Sequence, residues 1–454
     1  MRKYVQPSQS WNFLQRDLVA NLMVTALASL LLVNSVQRDK ATSLALLSSD
    51  LRTIDPRNED FSDFEPIKKA IGSSRVVLLG EQSHGDGATI AAKIRLVKFL
   101  HQKMDFDVLA WESGVYSCSL ADRNAKDPTK PASTYSEGIF GIWTTGGLFP
   151  ILANYVKSTQ STASPIQTCG FDCQFSSKNS GSMFIAELRK ALTEKGCGAE
   201  VSNIEEFLIT KKGSISQEEQ SRLGKDTLKV SKALMVRDQG DTNAILRQAV
   251  LALPALAKSN DLAALYSTLF SDPKTKKLIP AELGNVRDKS MADLLDWTVN
   301  TRYKGHKVIV WAASSHISRN IGKNGPYMEL NRQEGNLLMM GDTVFSRMKN
   351  QAYSIAFVAY EGKAGNPFMP KPMEIPQPAR DSIEWMFFQS DKKFKFLDFR
   401  SLPKSLWLHD PLQMSPMGYA PVTTKWPSHF DGVFYTRTMF PHTKDFLLPE
   451  DAIK

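Results

Sequence analysis

Cysteine is too scarce to organise this chain: four residues, Cys118, Cys169, Cys173 and Cys197, among 454. None forms a Cys-x-x-Cys pair, which argues against a zinc ribbon or a thioredoxin-type redox site. The even count permits disulfides without giving their connectivity, and buried thiols are the alternative. The chain has no internal repeat. It also lacks a basic stripe interleaved with aromatics: the 56 Lys and Arg residues, for a net charge of +9, are scattered, and no nucleic-acid motif accompanies them. A solvated basic surface is expected, with no nucleic-acid partner. Long apolar runs are missing as well. Leu18–Val33 continues for sixteen residues without a charge, short of the roughly 20 that cross a bilayer comfortably. Behind Arg2 and Lys3 it reads as a signal peptide or membrane anchor over 1–40, so export or anchoring is expected, with a helix of a cytoplasmic protein as the alternative.

What is present is a large globular composition, 42% apolar and 23% charged, enough for a sizeable core. Residues 41–60 read as a linker with a helix around Ser43–Leu51. Beyond them, strand-like runs recur with long spacers: Val76–Leu79, Phe106–Trp111, Ile166–Phe171, Lys307–Ala312 and Ser354–Ala359. Near-continuous apolar runs suit parallel strands covered on both faces. The expected fold is α/β, a mostly parallel central sheet flanked by helices, over residues 61–450. From about 176 to 300 no convincing strand appears, and helical stretches predict an inserted cap. After Val76–Leu79, the positions Ile90, Ile94 and Val97 lie at helical spacing, with Lys93, Arg95 and Lys98 falling elsewhere.

The first four strands each end on polar residues, at the sheet edge where α/β proteins bind ligands. They supply Glu81 and His84, then Glu112, then Asp172, then Ser314, Ser315 and His316. A histidine beside carboxylates is suited to activating water near neutral pH. His84 as base, Glu81 and Glu112 as orienters and His316 as acid or oxyanion donor form one reading. Arg95 is a candidate for binding an oxygen anion, and Asp172, Ser314 and Ser315 for lining the cleft. In a second reading, Glu81, His84, Glu112 and His316 hold a divalent metal. Each residue has a plainer role too, Glu81 and Asp86 as helix caps and His316 in a loop hydrogen bond. A serine nucleophile is poorly supported, because Gly80–Gly85 lacks a Gly-x-Ser-x-Gly elbow. His101, His306, His409, His429 and His442 read as structural.

These residues bring a family into view. Gly80-Glu81-Gln82-Ser83-His84-Gly85 resembles the Gly-Glu-x-[Ser/Thr]-His-Gly motif of the erythromycin esterase-like family. Lys93 and Arg95, the strand ending at Glu112, and Gly170-Phe171-Asp172 with Gln174 follow. Arg287-Asp288 with Met291-Ala292, Trp311-Ala312 through His316, Met340-Gly341 and Phe430–Tyr435 then come in the family's order. The resemblance covers roughly 60–445. It implies an α/β core with a helical insertion, and hydrolysis of a cyclic ester without a required cofactor. It also implies His84 as the base, supported by Glu81 and Glu112, with His316 in the same cleft. The expected partner is a small-molecule ester or lactone. One segment departs: Ala313 and Ser314 stand where macrolide-hydrolysing members carry His and Asn. That missing imidazole places the chain among divergent members and leaves a ligand-binding protein without turnover as the alternative.

Overall fold

The computed structural model describes residues 37–193, 195–211, 213–235, 241–271, 279–323, 333–334, 336–444 and 448–453. The apolar run at Leu18–Val33 lies outside them. Among the described residues no helix is long and apolar enough to cross a membrane.

The centre is a nine-stranded sheet. Eight of its strands are β1 (Ser49–Leu51), β2 (Val76–Leu79), β3 (Val108–Gly114), β4 (Gln167–Asp172), β5 (Val308–Trp311), β6 (Ala352–Ala364), β7 (Phe394–Asp398) and β8 (Gly432–Met439). They lie side by side in the order β1-β7-β8-β6-β2-β5-β3-β4, and Met373–Glu374 pairs with the end of β6. From β8 across to β4 all neighbours are parallel, while β7 runs against β8 and β1 against β7. Alternation explains why such short strands hold. Val76, Leu78, Val308 and Val310 enter the core on one face, whereas Val77, Leu79, Ile309 and Trp311 enter the core on the other. Each buried aliphatic side chain is worth roughly 1.5–3 kcal/mol, so every residue of β2 contributes.

Helix α1 (Gly87–Met104) crosses from β2 to β3, and the single turn α2 (Gly141–Thr144) precedes β4. Between β4 and β5 come the helices Ser180–Ala191, Gly198–Glu205, Gln217–Ala233, Asp241–Ser271 and α3 (Ala281–Trp297). Two sequence expectations change here. The stretch 41–60 is no free linker, because a helix over 37–47 packs on the core through Leu44 and β1 forms a sheet edge. Lys93, Arg95 and Lys98 of α1 do not face water. Lys93 and Arg95 are fully buried, and the helix is covered from Gly87 to Leu100.

All four cysteines are unpaired and buried.

Candidate active site

Strands β2, β5, β3 and β4 are neighbours, so their carboxyl ends place the polar residues that follow them on one edge. Glu81 follows β2 at the centre and is buried, 1% exposed. His84 Nδ1 lies 2.6 Å from its Oε1, which also accepts the indole N–H of Trp143 at 2.8 Å. Oε2 accepts the ammonium of Lys93 at 2.8 Å. Lys93 arrives from α1 across the ring of Trp311, 4.2 Å from its centroid. Burial disfavours the Glu81 carboxylate, but Lys93 and His84 hold it below the ordinary carboxylate range. The His84 side chain is 36% exposed. Burial lowers its basicity, but hydrogen bonding and charge from Glu81, with help from Glu112, raise it above 6.5 against the opposing charge of His316.

A second cluster forms beside the first. Glu112 is aimed by a β-bulge: Trp111 pairs with Gly170 and Gly114 with Asp172, so β3 carries one extra residue between the two pairs. The chains approach so closely there that a Cβ on Gly170 would lie 2.3 Å from the Ser113 carbonyl. Glu112 Oε2 accepts the amide of Ala313 at 2.8 Å, and Oε1 accepts Arg287 Nη2 at 3.0 Å. Arg287, from α3, also holds Asp172 Oδ2 at 2.5 Å.

His316 sits on α4 (Ser314–Ile317), with Nδ1 2.8 Å from Asp288 Oδ1. Its Nε2 is 3.3 Å from Glu112 Oε1 and 3.1 Å from Arg287 Nη1. A protonated ring donates to Glu112, and a neutral one accepts from Arg287. The protonated form prevails near neutrality. Burial opposes it, but Asp288 and Glu112 raise the ring to about 10. Glu112, despite burial, is held well below the ordinary carboxylate range by His316 and Arg287.

A hairpin formed by Leu412–Met414 and Val422–Thr424 reaches the His84 loop from the other side. Tyr419 donates its hydroxyl to Asp86 at 2.6 Å, and the Gly418 amide donates to the Gln82 carbonyl at 2.7 Å. Gln82 Nε2 donates to the Ser415 carbonyl, and the Ser415 amide to Glu384 Oε1, both at 2.6 Å. Burial pushes both Asp86 and Glu384 up to about 7.

Glu81, His84, Glu112, Asp172 and His316 are thus gathered at the strand ends. Arg95 is not. It lies on the opposite side of α1, donating to both oxygens of Asp63 at 2.9 and 2.7 Å and to the carbonyl of Thr53. Its guanidinium therefore serves the packing of 53–63, not an oxygen anion in the cleft. Ser314 is fully buried and gives its amide to the Glu81 carbonyl at 3.0 Å, while Ser315 is half-buried beside it. Asp172, expected to contact substrate, is committed to Arg287.

The residues considered as metal ligands are committed too, Glu81 to Lys93 and Glu112 to Arg287. Among the described residues no group of three or more His, Cys, Asp or Glu side chains is arranged to hold a metal ion. Lys93, Trp143, Arg287 and Asp288 carry much of the site's electrostatics without having been assigned a role from sequence. Arg287 and Asp288 stood inside a family-like segment, which was the available signal. Nothing in the sequence marked Trp143.

A family model described as erythromycin esterase matches residues 101–443. Among curated proteins, YbfO of Bacillus subtilis (strain 168), named provisionally as a hydrolase, is 26% identical over 406 residues, spanning 86% of this chain and 89% of YbfO. Among solved structures, a succinoglycan biosynthesis protein aligns at a TM-score of 0.72 and 20% identity, covering 90% of this chain and 99% of its own. A Bacillus cereus protein gives the same figures. A mutant of the erythromycin esterase EreC in its open conformation aligns at 0.67 and 16% identity, covering 88% and 99%. At these identities the solved structures establish the shared fold.

Proposed function

Because the chain belongs to the erythromycin esterase family, we propose that it is a hydrolase in which His84 activates water for attack on an ester or lactone carbonyl. The observation that carries this reading is the His84–Glu81 contact of 2.6 Å. With Nδ1–H donating to Glu81, the neutral ring of this partly exposed side chain keeps its lone pair on Nε2. Water gives a proton to Nε2 as its oxygen bonds to the carbonyl carbon. Glu81, pinned by Lys93 and Trp143, stabilises the imidazolium without taking its proton. When the carbon–oxygen bond breaks, His84 returns the proton to the leaving alkoxide. His316, charged near neutrality with its nitrogens on Asp288 and Glu112, offsets the negative charge of those carboxylates beside the reacting groups.

General-base catalysis of this kind contributes on the order of 10² to 10⁴ in rate. Purified protein and His84→Ala, assayed on a panel of esters and lactones, should therefore differ by about that factor. Equal rates would remove His84 from the mechanism.

Ala313 motivates a second reading, a binding protein without turnover. It presents only a methyl group, its amide being committed to Glu112. Ligands that raise the melting temperature yet are recovered unconverted would favour that reading.

A further inference from the structure

Three donors converge on the Glu81 carboxylate, and two of them share one oxygen. Oε1 receives both the imidazole of His84 and the indole N–H of Trp143, at 2.6 and 2.8 Å. We propose that Trp143 is a positioning residue: by competing with His84 for the same carboxylate oxygen, it moderates the pull of Glu81 on the imidazole and orients the ring. This rests on the hydrolase reading only for its consequence in catalysis.

Trp143 is built into place. Its amide bonds the Phe140 carbonyl at 3.1 Å. Its own carbonyl lies 3.0 Å from His442 Nε2, a fully buried imidazole. Gly146 leaves room for that ring, since a Cβ there would meet it at 2.1 Å. The indole stands edge-on to His84, centroids 5.3 Å apart and planes at 90°. Packing alone does not explain the N–H. Trp311, in the same site, is equally buried and leaves its indole nitrogen without a hydrogen-bond partner among the described residues. Trp143 instead aims its donor at the one carboxylate that touches His84.

The titratable groups around His84 are Glu81, Lys93, Asp86 with its partner Tyr419, Glu112 and His316, and His442 behind Trp143. Among the described residues, only Trp143 and His84 share Oε1. An added donor stabilises the carboxylate and weakens it as an acceptor for the ring. Removing the indole N–H should therefore make His84 more basic, and removing the carboxylate should make it less so.

The test is an NMR titration of the full chain labelled with 15N in its histidines and tryptophans, with His84→Gln identifying the imidazole signal and the indole assigned by through-space contact between its N–H and the His84 ring. Trp143→Phe should move the His84 midpoint upward by about half a pH unit, and Glu81→Gln should move it downward. In the unmodified protein the Trp143 indole proton should titrate with the His84 midpoint, a readout that survives if Trp143→Phe does not fold. An indole proton indifferent to His84 ionisation, or an unmoved midpoint in folded Trp143→Phe, overturns the proposal. If an ester substrate is in hand, the acid limb of the rate profile should move the same way. Absence of hydrolysis would count against the hydrolase reading and leave the titration result standing.

Discussion

A histidine serves as a base when one nitrogen is held and the other is free, and a histidine held at both nitrogens by anions serves as a fixed charge instead. His84 and His316 divide along that line. His84 has one carboxylate contact and an exposed edge, whereas His316 lies between Asp288 and Glu112. The second arrangement has a thermodynamic signature. His316 is raised to about 10 in the fold, against roughly 6.5 in an unfolded chain. The folded state therefore holds more protons between those values, and stability falls with rising pH across that window. The contribution is complete below about 6.5 and lost through about 10. Thermal melts of the protein and His316→Asn at pH 6, 8 and 10 should show a gap that narrows as pH rises. A gap of constant size would assign the loss to packing.

Among the elements, the strands were legible because apolar runs flanked by polar residues have few other solutions in an α/β chain. Val76–Leu79 has the boundaries read from sequence, and the other expected strands overlap their observed spans. Three features were not legible, for physical reasons. β1 is three residues at an antiparallel edge, too short for periodicity. The extra residue in β3 exists because Gly170 lets two backbones approach, which is a tertiary fact. Helix α1 misled because its spacing presumes solvent on one face, whereas Lys93 and Arg95 are buried against Glu81 and Asp63. The 412–424 hairpin adds a prediction at this scale. Asp86 and Glu384 sit at about 7 in the fold, well above ordinary carboxylates near 4. Their burial costs stability as pH rises from about 4 to 7, and in full above that. Asp86→Asn and Glu384→Gln should each stabilise the protein at pH 8, by on the order of 1 kcal/mol or more, and leave it unchanged at pH 4. Chemical denaturation at the two pH values measures this, and a loss at pH 8 would mean that the charged forms hold the hairpin.

At the scale of the molecule, residues 49–63 join the α/β body through the β1–β7 pairing, apolar contacts of Leu51, Ile54 and Phe61, and one buried ion pair. Arg95 and Asp63 are 0% and 7% exposed. Breaking such a pair from one side typically costs about 3–5 kcal/mol, because the remaining charge is left stranded. Arg95→Ala should lose stability of that order in denaturant melts, while turnover per folded molecule on any substrate found is retained. A fall in turnover at unchanged stability would return Arg95 to the cleft. The site was half legible at this scale: residues at strand ends could be read from sequence. Trp143, arriving from α2, could not, and Arg287 and Asp288 of α3 were marked by the family-like segment alone, since nothing local records what a helix meets across the fold.

The division of the second cluster between two parts of the molecule has a consequence for access. Arg287 and Asp288 ride on α3, at the end of the helical insertion, while Glu112 and Asp172 lie on strands of the sheet and His316 on the short helix α4 that follows β5. Asp288 also receives the amide of Met340, at the start of the helix Met340–Met348. Swinging the insertion away would separate these charges in a poorly solvated setting, where ion pairs are weakly screened by salt. The site thus acts as the bolt of its own door. Opening the site by that route would require breaking the contacts of Arg287 and Asp288 with Glu112, Asp172 and His316 together.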